Sequence, residues 1–211
     1  MAIKVYGQPA SSATRRVLVA LEEKGLDYEL VLIDLYTGQH KKEPLISINP
    51  FGQVPGFEDG DLQLFESRAI ASYIAHAYAD KGSPLISKDP KKMAIMGVWV
   101  EVEGEKFNVA AQLLSYELYL KPIKLGLTAD EAVVEKRQAE LAAVLDIYEA
   151  RLGKSKYLGG DDFSLADLLH IPILYNLQKT KVKAVFDARP AVAAWAANLL
   201  ARPASHKINA A

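Results

Sequence analysis

The chain has 211 residues, no cysteine, and 25 Lys and Arg against 26 Asp and Glu, for a formal net charge of -1. A length of this order holds one large domain or two compact ones around a real core. The balanced charge removes a global field toward nucleic acid or an acidic membrane, and the missing cysteine removes disulfides, thiolate metal sites and a protein thiol nucleophile together.

Lys4 is followed by a short strand-like run and not by a long apolar stretch, and no segment approaches the roughly 18 apolar residues of a membrane span. A cytoplasmic protein is expected, with no membrane or nucleic-acid partner. Residues 3–6 alternate as a strand, Pro9-Ala10-Ser11-Ser12 reads as a loop, and Thr14 to Lys24 carries Val17, Leu18 and Leu21 on one helical face, with Gly25 as its stop. Tyr28 to Ile33 is rich in β-branched and aromatic residues, so the helix crosses over between two parallel strands. After a polar loop with Gly38, His40, Lys41 and Lys42, Asp59-Gly60 between two alternating runs predicts a hairpin. Ser67 is expected to cap a helix carrying Ala69, Ile70, Tyr73 and Ile74.

Asp80 to Lys92, with Gly82, Pro84 and Pro90 among charges, reads as a linker, and no strand signal follows it. A long helical pattern runs from Lys92 to Leu120 and ends at Pro122. Thr128-Ala129-Asp130-Glu131 fits a capping box for a helix to Leu152. Ser164-Leu165-Ala166-Asp167 opens another helix, and Pro190 to Leu200 forms a last one. The expected organisation is an α/β domain over 1–79, a linker over 80–92 and an all-helical domain over 93–211.

Residues 3–78 resemble the glutathione-binding domain of phi-class glutathione transferases, the plant class that uses serine. The resemblance is carried by Pro9-Ala10-Ser11 before Thr14-Arg15-Arg16, Gln39 before His40-Lys41, Asn49-Pro50-Phe51-Gly52-Gln53-Val54-Pro55, Glu58-Asp59-Gly60, and Phe65-Glu66-Ser67-Arg68-Ala69-Ile70. Phe163-Ser164-Leu165-Ala166-Asp167 is similar to the family's folding signature in its second domain. The resemblance implies a thioredoxin-like domain followed by an all-helical domain that forms an apolar substrate site. It also implies a homodimer, with Phe51 as an apolar anchor in the neighbouring subunit.

A thiol with a pKa near 8.5 is only a few per cent thiolate at pH 7, so a catalyst must ease ionisation by about two units, or roughly 2.7 kcal/mol. One hydrogen bond to a charged group contributes about 1.5–3 kcal/mol and a helix N-terminus about 0.3–1. Ser11 at the start of helix 14–24 is sufficient in magnitude: it would donate to the sulfur anion without being deprotonated. Taken alone, Ser11 reads as an ordinary N-cap. Ser12 competes locally, as the cap beside a Ser11 that faces the sulfur. Tyr6 lies near where related classes place a catalytic tyrosine and is read as core or as support to the site.

The family holds the bond equivalent to Val54-Pro55 cis, so that the Val54 backbone pairs with the cysteinyl unit of glutathione, with Gln53 offering its amide beside it. Ser67 and the helix amides would take the γ-glutamyl carboxylate, and Glu66 its ammonium. His40 and Lys41 would bind the glycine carboxylate, and Arg68 either orients Glu66 or contacts ligand. Each has a plain alternative: a solvated loop for His40 and Lys41, a cap for Ser67, a surface acid for Glu66. For the second, apolar substrate, Leu113, Tyr116 and Leu120 share a helical face by spacing, and the resemblance adds Leu35 and Tyr36; a stripe of this kind is also what core packing produces.

Asp167 and Ser164 are assigned to folding, and Trp99 and Trp195 to the core. His76, His170 and His206 show no metal-ligand spacing, so no metal is inferred. No cofactor is expected beyond glutathione as co-substrate. The expected activity is conjugation of glutathione to small apolar electrophiles, as in detoxification; the resemblance also implies reduction of organic hydroperoxides. The alternatives are a non-catalytic carrier of apolar ligands and an interaction module. Glutaredoxin-like chemistry, which needs a protein thiol, is excluded.

Overall fold

A four-stranded sheet organises the first part of the chain in the computed structural model, which describes residues 3–209. The strands β1 (Ile3–Gly7), β2 (Tyr28–Leu32), β3 (Gly56–Asp59) and β4 (Leu62–Phe65) lie in the order β2-β1-β3-β4. β1 pairs parallel with β2 and antiparallel with β3, and β3 with β4. The expected crossover is α1 (Ser12–Lys24), which Gly25 ends at φ 61°, a left-handed conformation that glycine adopts without steric cost. The predicted hairpin forms with Asp59 opposite Leu62.

Two short pieces in the expected polar loop carried no clear periodic signal: a single turn over Gln39–Lys41 and α2 (Leu45–Ile48). α2 buries Leu45 and Ile48 against Tyr6 and Ile33. α3 (Ser67–Ala77) packs on α1. Val5, Val17, Val19, Leu21, Phe57, Ile70 and Ile74 are fully excluded from solvent.

Residues 80–86, the first half of the expected linker, belong to this unit. The buried Lys24 ammonium donates to the carbonyls of Lys81 and Ser83 at 3.2 and 2.8 Å, and the Ser83 hydroxyl donates to Glu23 at 2.6 Å. Burial pulls the Lys24 ammonium below its ordinary value, opposed by Asp80. Against expectation, residues 203–209 also belong here and not to the helical unit. They form α12 (Pro203–Asn209), which buries Ala204, Ser205, Ile208 and Asn209 and packs on α1.

The helical unit spans residues 87–202. α4 (Pro90–Val102) is capped by Asp89 and continues through a wide turn at Glu103–Phe107 into α5 (Asn108–Ser115). A second wide turn, Tyr116–Leu120, leads into α6 (Lys121–Leu125), which Gly126 stops at φ 64°. The expected stop at Pro122 therefore does not occur. The Lys121 N–H reaches back to the Tyr116 carbonyl, and this looser winding meets the proline, which has no N–H to give, at the first turn of the next segment.

The Thr128 box does not form either. α7 (Glu131–Leu152) is capped by Asp130, which accepts from the Ala132 and Val133 N–H groups at 3.1 and 3.2 Å. The Asp130 N–H in turn donates to Glu117 at 2.8 Å, which fixes where the chain enters the helix. The Ser164–Asp167 capping box does form, opening α8 (Leu165–Leu168), and α9 (Ile171–Leu177), α10 (Lys183–Asp187) and α11 (Pro190–Leu200) follow. Trp195 is buried as expected and Trp99 only partly; both rings meet Tyr148 edge-on, at 5.9 and 5.5 Å. The Ala166 carbonyl, 2.8 Å from His170 Nδ1, places the proton on that nitrogen, so the Tyr148 hydroxyl donates to Nε2 at 2.9 Å.

Candidate functional site

The register of the sheet decides where the singled-out residues of the first unit fall. Gly56 pairs with both Tyr6 and Phe65, and Gly7 with Leu32. The ends of β1, β2 and β4 and the start of β3 therefore share one end of the sheet. From that end leave the segments bearing Ser11; Leu35, Tyr36, His40 and Lys41; Gln53, Val54 and Pro55; and Glu66, Ser67 and Arg68.

Ser11 is the N-cap of α1, at φ -74° and ψ 122°, and its Oγ accepts from the Thr14 N–H at 3.3 Å. Ser12, the competitor for the cap, is instead the first helical residue. Capping uses an acceptor lone pair of the hydroxyl and leaves its hydrogen for another acceptor, so the capping and thiolate-donor readings of Ser11 are compatible. The loop before it is ordered by Gln8, whose carbonyl accepts from the Ser11 N–H at 2.9 Å and whose side-chain oxygen accepts from the Ala10 N–H at 3.1 Å. Sequence reasoning assigned Gln8 no such work. A Cβ on Gly7 would lie 2.4 Å from Thr14 Cγ2, so the approach of β1 to the first turn of α1 depends on the missing side chain.

Tyr6 is core. It is buried with Ile33, Leu45 and Ile48 and donates to Glu58 at 2.9 Å. Burial, then the Glu58 hydrogen bond, pushes its hydroxyl up to about 12, which removes it from proton chemistry near neutrality.

Asn49 builds the next loop. Its side chain donates to the Gln53 carbonyl at 2.8 Å and accepts from the Phe51 N–H at 3.1 Å. Gly52 sits at φ 57°, where a Cβ would meet Lys41 Cδ at 2.7 Å. The Lys41 stem thus lies over Gly52, and its ammonium donates to the Phe51 carbonyl at 2.9 Å with two hydrogens remaining. His40 is half-buried and its Nδ1 makes no hydrogen bond among the described residues. The Gln53 side chain is exposed, and the Val54-Pro55 bond is cis, as the resemblance implied.

Glu66, and not Ser67, stands at the N-cap of α3, and it makes no side-chain cap bond. Its φ of 67° is the only positive value of a non-glycine residue among those described. A non-glycine residue in sparsely populated backbone territory costs on the order of 1–3 kcal/mol, and such residues cluster at functional sites. Ser67 is buried and takes a different partner from the one expected: its Oγ accepts from Arg16 Nη1 of α1 at 2.9 Å. Its hydrogen stays available to a ligand, as at Ser11. Arg68 is half-buried beside it. Arg16 and Asn49 lie inside the family-like motifs, but no local signal shows that they hold other site residues in place.

Of the apolar candidates, Leu35 packs on the Tyr6 cluster, and Tyr36 is 69% exposed. In the helical unit Leu113 and Tyr116 are exposed and Leu120 is half-buried. Tyr116 and Leu120 bound the second wide turn, a geometry frequent at functional sites. Among the described residues no group of three or more His, Cys, Asp or Glu is arranged to hold a metal, and no helix is long and apolar enough to cross a membrane.

Comparison with known proteins gives the family. Residues 1–76 match the family profile described as "Glutathione S-transferase, N-terminal domain", and residues 102–203 match "Glutathione S-transferase, C-terminal domain". Glutathione S-transferase APIC of Nicotiana tabacum is 62% identical over 97% of this chain and 95% of its own. The crystal structure of glutathione transferase F7 from Populus trichocarpa aligns with a TM-score of 0.94 at 45% identity, over 98% of this chain and 97% of that one. Glutathione S-transferase I from maize, solved in complex with an atrazine glutathione conjugate, aligns at 0.90 and 42% identity, over 100% of this chain and 97% of that one. The chain belongs to the phi class of the glutathione S-transferases and is an enzyme of that family, with a thioredoxin-like domain followed by a helical one.

Proposed function

We propose that the protein conjugates glutathione to small apolar electrophiles, with Ser11 stabilising the thiolate. One observation supports this reading: four segments attached at the same end of the sheet carry a hydroxyl with an uncommitted hydrogen, an exposed amide, an ammonium and a carboxylate–hydroxyl pair. The glutathione thiol releases its proton to water, and the sulfur anion accepts the Ser11 hydrogen bond beside the amino end of α1. The sulfur then forms a carbon–sulfur bond with the electrophile. A leaving group departs with its electron pair, or an activated double bond takes up a proton.

Around the sulfur, Val54 offers its backbone to the cysteinyl unit and Gln53 its amide. Ser67 and the α3 amides take the γ-glutamyl carboxylate, Glu66 takes its ammonium, and Arg68 orients Glu66 or touches the ligand. His40 and Lys41 take the glycine carboxylate. Leu35, Tyr36, Leu113, Tyr116 and Leu120 would face the apolar substrate. In this reading glutathione is bound by the sheet-bearing unit, which takes in residues 80–86 of the expected linker, and the apolar side is supplied by the helical unit of residues 87–202. The conjugate held by the maize relative supports a conjugating role. Reduction of organic hydroperoxides, a cytoplasmic location and homodimerisation belong to the same reading.

The test is a pH–rate profile of glutathione conjugation for wild type, Ser11→Ala and Ser12→Ala. Ser11→Ala alone loses roughly ten- to a hundredfold in rate and raises the apparent thiol pKa, as the removal of one hydrogen bond to an anion requires. Unchanged turnover in Ser11→Ala, together with tight binding of apolar ligands, would favour a carrier instead.

A further inference from the structure

We infer that Asn209, on the last described helix, is a positioning residue for Ser11. The inference rests on the proposed function of that serine and extends it. Ser11 touches α1 through two bonds: its Oγ accepts from the Thr14 N–H at 3.3 Å, and its carbonyl accepts from the Arg15 N–H at 2.9 Å. The orientation of the hydroxyl therefore follows the first turn of α1. Two consecutive arginines of that turn are sent to two different places. Arg16 donates to Ser67 on α3 at 2.9 Å, and Arg15 donates through Nη1 to Asn209 Oδ1 on α12 at 2.8 Å.

The Arg15–Asn209 contact is buried, with Arg15 5% and Asn209 8% exposed, and it spans 194 residues of sequence. Its direction is set from the far side. Asn209 Nδ2 donates to the Ser205 carbonyl at 2.9 Å and lies 3.3 Å from the Ser205 hydroxyl, so the amide nitrogen is committed within α12 and the oxygen must face Arg15. A hydrogen bond to a charged donor, shielded from water, holds direction well. A second tie, Lys207 to Glu22 at 2.8 Å, joins the same helices near the other end of α1, where it is exposed and remote from Ser11. Thus α12 braces α1 at both ends, and only the Asn209 end acts on the turn that carries the serine. Hydrogen bonds weaken steeply with misalignment, and a displacement near 1 Å from the chemistry can cost about a hundredfold.

The experiment uses the full chain and two readouts: the pKa of enzyme-bound glutathione from thiolate ultraviolet absorbance, and kcat/KM against pH. Asn209→Ala is expected to raise the bound-thiol pKa and lower kcat/KM by about tenfold below that pKa, converging on wild type at alkaline pH, where the thiol ionises unaided. Asn209→Asp keeps an acceptor for Arg15 and should keep a wild-type pKa, as should Lys207→Ala. If Asn209→Ala does not fold, Asn209→Gln, which displaces the acceptor by one methylene, takes its place with the same expectation.

An unmoved thiol pKa in the Asn209 variant overturns the inference. So does a shift of equal size in Lys207→Ala or in Asn209→Asp, since either would mean that general loosening and not the Arg15 contact is responsible. Ser11→Ala measured alongside separates the layers. If it too leaves the pKa unmoved, the proposed thiolate role fails; if it shifts while Asn209→Ala does not, only the positioning role fails.

Discussion

Asp167 offers the sharpest quantitative test of how the helical unit is held. Its carboxylate is fully excluded from solvent. Oδ1 accepts from the Leu158 N–H at 3.0 Å and the Trp195 indole at 2.9 Å; Oδ2 accepts from the Ser164 N–H at 3.1 Å and lies 2.9 Å from the Ser164 hydroxyl. Asp167→Ala orphans two buried donors, each costing about 1–3 kcal/mol, and removes a capping box, typically about 1 kcal/mol. The relief of a desolvated charge offsets part of this, which leaves about 3–5 kcal/mol of lost stability.

Asp167→Asn divides the same site in two. Its Oδ1 still accepts from Leu158 and Trp195, while its amide nitrogen faces the Ser164 N–H, donor against donor. The expected loss is therefore only about 1–2 kcal/mol. Urea unfolding followed by tryptophan fluorescence measures both variants, with an unchanged m-value confirming that the shift is in stability. Equal losses in the two variants, or a loss under about 1 kcal/mol in Asp167→Ala, would refute the assignment of the stabilisation to the buried donors.

Tyr6→Phe should leave the bound-thiol pKa and the conjugation profile near neutral pH unchanged. In unfolding experiments, wild type should lose stability relative to Tyr6→Phe as pH climbs from the ordinary tyrosine value of 10.0 toward about 12, because the unfolded chain releases the phenolic proton first. Phe51 is 66% exposed, and Phe51→Ala should shift sedimentation from dimer toward monomer if that ring anchors a neighbouring subunit. A variant that sediments as the wild-type dimer would remove that assignment.

The sheet was legible because its signals are local. Alternation over 3–6, the Asp59-Gly60 turn and the Gly25 stop each act within a few residues, and each appears where expected. The position of Ser11 ahead of α1 was legible for the same reason, whereas the cap expected at Ser67 falls one residue earlier, at Glu66. What could not be read is what long-range partners decide. Ser67 has the chemistry of a cap, yet an arginine 51 residues earlier occupies its hydroxyl. Thr128 begins a plausible capping box, yet Glu117 fixes the chain at Asp130 and moves the helix start. Pro122 is a strong local stop, but a helix can absorb a missing N–H by winding more loosely, and no local rule shows that it will. The attachment of α12 was hidden because an alanine-containing amphipathic segment near other helices gives no hint that its partner is the first helix of the chain.

That attachment makes the sheet-bearing unit discontinuous in sequence: residues 87–202 interrupt it. During synthesis the strands and α1 emerge long before α12, so the nascent unit waits with one flank of its first helix uncovered until the whole helical unit has been made. The two units consequently cannot be treated as beads that mature one after the other. Any separately expressed piece containing only the leading residues would present that bare flank permanently, with the Arg15 side chain deprived of its amide acceptor.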